Sequence, residues 1–122
     1  MMIKSYRELN VWQKADQLAL EIYQLSDGFP KKYLYDLTNQ LRRAALSVPT
    51  NLAEGCASPH SGELLQFINI SRRSLSETRY LIEFASKLGL VGPEKSKELE
   101  RLCTEIGKML AALTRSIKRQ KE

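Results

Sequence analysis

Gln40-Leu41-Arg42-Arg43-Ala44-Ala45-Leu46-Ser47-Val48-Pro49-Thr50-Asn51-Leu52-Ala53-Glu54-Gly55 carries two stripes at helical spacing. Leu37, Leu41, Ala44, Val48 and Leu52 step by three and four and make an apolar line. Gln40, Arg43, Ser47, Asn51 and Glu54 make a polar line on the adjoining face. A solvated helix face mixes Lys and Glu freely. This row instead holds a fork-shaped cation, a hydroxyl, an amide and a carboxylate. That mixture predicts a hydrogen-bonded network against a neighbouring helix, shielded from water.

Outward from this stretch, breakers divide the chain into four helical segments. The first is expected over about 6–26, ending at Asp27-Gly28-Phe29-Pro30. The second runs over 33–57 and is followed by Ser58-Pro59-His60-Ser61-Gly62. The third spans 62–88, ending at Gly89. The fourth spans 93–119 from Pro93, a good first-turn residue. Its apolar spine is Leu99, Leu102, Ile106, Met109 or Leu110, Leu113 and Ile117. No segment alternates as a half-buried strand does. At 122 residues the chain makes one domain with a real core. The expected fold is all-α, an antiparallel up-down-up-down four-helix bundle. Pro49 falls within the second helix and predicts a kink, with a neighbouring side chain satisfying the freed backbone.

Short connections make successive helices antiparallel neighbours. With the loop centred near residues 59–60, facing positions on helices two and three sum to about 119–120. Arg43 then stands level with Glu77, and Ser47 with Arg73 and Ser74. The expected network is therefore Gln40, Arg43, Ser47, Asn51, Glu54, Ser74 and Glu77, at a helix-two/helix-three or subunit contact. Helix one has apolar residues over a wide arc: Leu9, Val11, Trp12, Ala15, Leu18, Ala19, Leu20, Ile22, Tyr23 and Leu25. A surface helix needs an arc of roughly 100°. The surplus predicts a second buried face, at a subunit interface.

Net charge is +5, and it is unevenly spread. Residues 1–61 carry seven Lys/Arg against six Asp/Glu, and residues 62–122 carry twelve against eight. The last fifteen residues hold Lys108, Arg115, Lys118, Arg119 and Lys121 against Glu122. Cations there suit the dipole of a last helix. They also suit phosphates. In an up-down-up-down bundle Lys4 and Arg7 join the same pole. The candidate nucleic-acid site is therefore Lys4, Arg7, Arg115, Lys118, Arg119 and Lys121. Arg42, Arg72 and Arg79 are further exposed candidates.

The chemistry of most enzyme classes has no residues to draw on. There is one histidine, His60, and Cys56 and Cys103 follow no metal-ligand spacing. No glycine-rich phosphate loop occurs, and the Glu-x-x-His spacing of di-metal bundles is missing. The expectation is no enzyme, no metal, no cofactor and no small-molecule substrate. No apolar run approaches a membrane span and no leader is legible, so a cytoplasmic chain is expected.

The central stretch also resembles a known signature. The residues that carry it are Leu37-Thr38, Gln40-Leu41, Arg43-Ala44-Ala45, Ser47-Val48-Pro49 and Asn51-Leu52-Ala53-Glu54-Gly55. They are similar to the motif of bacterial four-helix-bundle proteins encoded in intervening sequences of 23S ribosomal RNA genes. The resemblance extends to Glu8-Leu9, Val11-Trp12, Lys14-Ala15, Phe29-Pro30, Phe67, Ser74-Leu75, Glu77 and Leu88-Gly89, and so covers nearly the whole chain. It implies a small helical bundle, often a pentameric ring, with a link to nucleic acid and no established activity. It also places Glu54 and Glu77 inside, where each has a cationic partner and an ionic, structural part. Similar bundles serve as accessory subunits of the reverse transcriptases of diversity-generating retroelements. Two functions follow. One is a basic homo-oligomeric scaffold, pentameric by resemblance, that associates with RNA or DNA, directly or through a protein partner. The other is a purely structural or protein-interaction bundle whose charge is incidental.

Overall fold

The computed structural model describes Ile3 and residues 5–121 of the chain. Four helices account for most of them: α1 (Asn10–Ser26), α2 (Asn39–Cys56), α3 (Ser61–Lys87) and α4 (Pro93–Lys121). The described residues contain no strand.

Cross-helix contacts fix the topology. Ser47 meets Ser74 at 2.8 Å, and the Ser71 hydroxyl donates to the Val48 carbonyl at 2.7 Å. Ser86 meets Ser96 at 2.9 Å. Lys95 bonds Glu21 at 2.7 Å, and Lys14 pairs with Glu105 at 3.6 Å. In each pair of helices, later residues on one face earlier residues on the other. So α2 and α3, α3 and α4, and α1 and α4 all run antiparallel. The bundle is up-down-up-down, as the short loops require.

The core is aliphatic. Leu18, Ile22, Leu41, Leu52, Ile68, Leu99, Ile106 and Leu110 are sealed from water. Each such side chain contributes about 1.5–3 kcal/mol. The wide apolar arc of α1 is largely consumed inside this one chain. Of its ten apolar residues only Leu20 and Tyr23 are exposed, and the Arg42 guanidinium covers the Tyr23 ring at 4.9 Å. The surplus attributed to a subunit interface thus comes down to Leu20 and the open part of the Tyr23 ring.

Helix starts differ from the periodicity. The expected first helix opens instead with a 3₁₀ turn at Tyr6–Glu8, with the Ser5 hydroxyl accepting from the Arg7 amide. Leu9 is then extended, and α1 begins at Asn10. The second segment opens with a 3₁₀ turn (Lys31–Tyr33) and a π turn (Leu34–Thr38) before α2. A π turn is wider than an α turn, and here successive residues Leu37 and Thr38 are both buried. Pro49 is accommodated without a break. Side chains bond the three carbonyls just before it: Thr50 to Leu46, Asn51 to Ser47 and Ser71 to Val48. At the end of α3, Gly89 takes φ +78°. The Leu90 amide reaches the Ala85 carbonyl and the Gly89 amide the Ser86 carbonyl, a Schellman ending that favours glycine.

Candidate functional site

Small residues set the spacing of α2 and α3. A Cβ on Gly55 would sit 2.8 Å from the Phe67 Cβ, so the two backbones approach where only glycine fits. Along the same seam the Ser47 and Ser74 hydroxyls meet, and the Asn51 amide donates to both the Ser47 carbonyl and the Ser47 hydroxyl at 2.8 Å. Three members of the expected network, Ser47, Asn51 and Ser74, are therefore one half-buried cluster.

Within the single chain the other four are not shielded. Gln40, Arg43, Glu54 and Glu77 are exposed. Gln40, Arg43 and Glu77 line one open hollow of about 550 Å³ with Ser47 and Ser74, at the common height the register predicts. Arg43 and Glu77 form no ion pair among the described residues. Small residues, Ala44, Ser47 and Ser74, occupy the seam at this height, and the long side chains stand at its rim around the hollow.

The basic pole is built by topology. The Lys14–Glu105 pair puts the chain before Asn10 and the end of α4 at the same end of the bundle. Arg7, Arg115, Lys118 and Arg119 are all exposed there. The Arg7 guanidinium lies over the Tyr6 ring at 4.7 Å, and that ring packs against Trp12 at 4.8 Å. Lys4 and the Lys121 side chain lie outside the described residues. The end of α2 and the start of α3 share this pole, so exposed Glu54 and Glu63 join Glu8 as counter-charges. The antiparallel topology is the signal that finds these two carboxylates.

Arg42 is not a free cation. Its guanidinium donates to Asp27 at 2.8 Å, to the Ser26 hydroxyl at 2.7 Å and to the Tyr23 carbonyl at 3.2 Å. It clamps the end of α1 to α2. Arg79 pairs with Glu100 across α3 and α4, whereas Arg72 is exposed.

Cys103 is fully buried and Cys56 half-buried. Burial pushes the Cys103 thiol up to about 12 and the Cys56 thiol above its usual range, which suits packing and not nucleophilic work. Among the described residues no group of His, Cys, Asp and Glu could hold a metal ion, and no helix is long and apolar enough to cross a membrane.

Among curated proteins, none matches the chain. Among solved structures, the chain is similar to a protein of unknown function from the S23 ribosomal protein family of Bacteroides thetaiotaomicron. The TM-score is 0.80 at 21% identity, over 86% of this chain and 95% of that one, a likeness of fold. The family model described as 23S rRNA-intervening sequence protein matches residues 7–112. With the bundle, the α2 stripe and that match all in place, the chain belongs to the 23S rRNA-intervening sequence protein family.

Proposed function

We propose that this chain is a non-catalytic, basic bundle that assembles with copies of itself and associates with nucleic acid through phosphate contacts. The observation that carries the reading is the exposed pole of Arg7, Arg115, Lys118 and Arg119. These cations have no carboxylate partner among the described ion pairs, whereas Lys14, Arg42, Arg79 and Lys95 all do. The family's description, which ties it to 23S rRNA, supports the same direction.

Self-association supplies the missing charge density. One protomer at +5 is modest, while a ring of copies, pentameric by the family resemblance, multiplies the potential at the pole. The rim of the α2/α3 seam suits the contact between copies. It carries both signs of charge, Arg43 against Glu54 and Glu77, so it can complement itself, and the same two helices expose Leu46 and Ile70.

The test compares wild type with a variant carrying Gln at Arg7, Arg115, Lys118 and Arg119, titrated against RNA and DNA. Loss of affinity and a shallower salt dependence in the variant are expected. Equal affinity and equal salt slope would remove the pole. That second result favours the protein-interaction bundle, for which the same exposed Leu46 and Ile70 speak.

A further inference from the structure

The cations of α4 do not stop at the pole. Lys97, Arg101, Lys108 and Arg115 are exposed and recur at spacings of four, seven and seven, which keeps them on one helix face. The carboxylates Glu98 and Glu105 lie on the other side, toward α1, against Lys95 and Lys14. The outer face of α4 is thus mainly basic, with exposed Glu94 at its start, while ion pairs stand on both flanks, Lys14–Glu105 toward α1 and Arg79–Glu100 toward α3. Lys97 and Arg101 border a groove of about 900 Å³ between α3 and α4, and Lys108 and Arg115 continue the line along α4 beyond it. Arg79 and Lys87 of α3 and Lys97 and Arg101 of α4 line it. Its carboxylates are Glu83 and Glu100, and Arg79 takes Glu100.

An aromatic pair stands at the edge of this groove. Tyr80 is 58% exposed and Phe84 41% exposed, with ring centroids 6.3 Å apart. Tyr80 lines the groove itself. Two large exposed rings one helical turn apart leave contiguous apolar surface in water, a feature of interaction sites. Here the rings lie beside the exposed cations Lys97 and Arg101.

We infer that the α3/α4 groove holds a single strand of nucleic acid, its phosphates along Lys97, Arg101 and Lys108 and an unpaired base on Tyr80. The inference rests on the nucleic-acid function proposed for the pole and names the form of the ligand. From Lys97 to Arg115 the cation line rises about 27 Å at 1.5 Å per residue. That length suits about four to six nucleotides of an extended strand. A duplex presents the same phosphates but keeps its base faces inside the stack, so Tyr80 gains nothing from it. A single strand offers both, and stacking on an exposed ring is independent of sequence.

The experiment uses the full chain and three labelled probes of equal length: a twelve-residue oligouridylate, the matching RNA duplex, and poly-glutamate. The expected result is tighter binding of the oligouridylate than of the duplex. Tyr80→Leu should weaken the single strand about tenfold and leave the duplex unchanged. A variant with Gln at Lys97, Arg101 and Lys108 should weaken the single strand further and flatten its salt slope. If that groove variant binds as wild type while the pole variant fails, the groove is overturned and the pole stands. Duplex binding equal to or tighter than single-strand binding overturns the groove. So does equal binding of poly-glutamate, which marks a general polyanion surface. If wild type binds neither RNA, the nucleic-acid function falls together with the groove. A circular-dichroism melt of each variant separates lost binding from lost fold.

Discussion

At Gly55 one hydrogen atom decides how closely α2 and α3 pack. Any Cβ there meets the Phe67 Cβ at 2.8 Å, well inside contact distance and against an atom fixed to the backbone. Gly55→Ala is therefore expected to destabilise the fold by about 1–3 kcal/mol, although alanine is the better helix former. A thermal melt checks this, and an unchanged or raised Tm would contradict the close seam. The polar stripe of α2 was legible in the sequence, as was its common height with α3, because both follow from helical period and loop position. The outward placement of Arg43 and Glu77 was not legible. It depends on the small residues Ala44, Ser47 and Ser74 taking the seam at that height, a placement that periodicity does not carry. Arg42 was misread for a related reason. Its partners Ser26 and Asp27 lie at the end of another helix, out of reach of any local pattern.

Among the elements, α1 and α4 are joined by charge, and this seam responds to acid. Burial works against the Glu21 carboxylate, but hydrogen bonds from Lys95 and Gln17 outweigh it and hold the group below its ordinary 4.5. A carboxyl with a lowered folded-state pKa adds stability above its unfolded pKa. That stability fades as pH falls through the folded value. Wild type should thus lose part of its stability below about pH 4.5, and Glu21→Gln should lower Tm near neutrality and flatten that acid limb. Parallel acid limbs in the two proteins would contradict the assignment. Four helices and their order were plain from breakers and apolar spacing. Their starts were not. Tyr6–Glu8 has helical composition, yet extended Leu9 separates it from α1. The π turn before α2 buries Leu37 and Thr38 together, which an α-helical wheel does not anticipate.

For the whole molecule, the distribution of charge matters more than its total. Ion pairs occupy the α1/α4 seam, both signs stand at the rim of α2 and α3, and unpaired cations run along α4 to the pole. The excess at the end of the chain was readable from composition. Its continuation along the α3/α4 groove needed the phase of α4 relative to its neighbours. The proposed assembly predicts a mass several times 14.0 kDa in light scattering at micromolar concentration. Arg43→Ala and Glu77→Ala should lower that mass while changing single-chain stability by no more than about 0.5 kcal/mol, as for exposed residues. A monomer mass for wild type would end the ring. The central claim, a basic bundle that binds nucleic acid by its phosphates, is met most directly by the salt dependence of RNA binding to the unmodified protein. The account predicts that the logarithm of affinity falls linearly with the logarithm of salt concentration, by about 0.7 per phosphate neutralised on a single strand, with several phosphates engaged. An affinity unmoved by salt, or no binding at low salt, would contradict it.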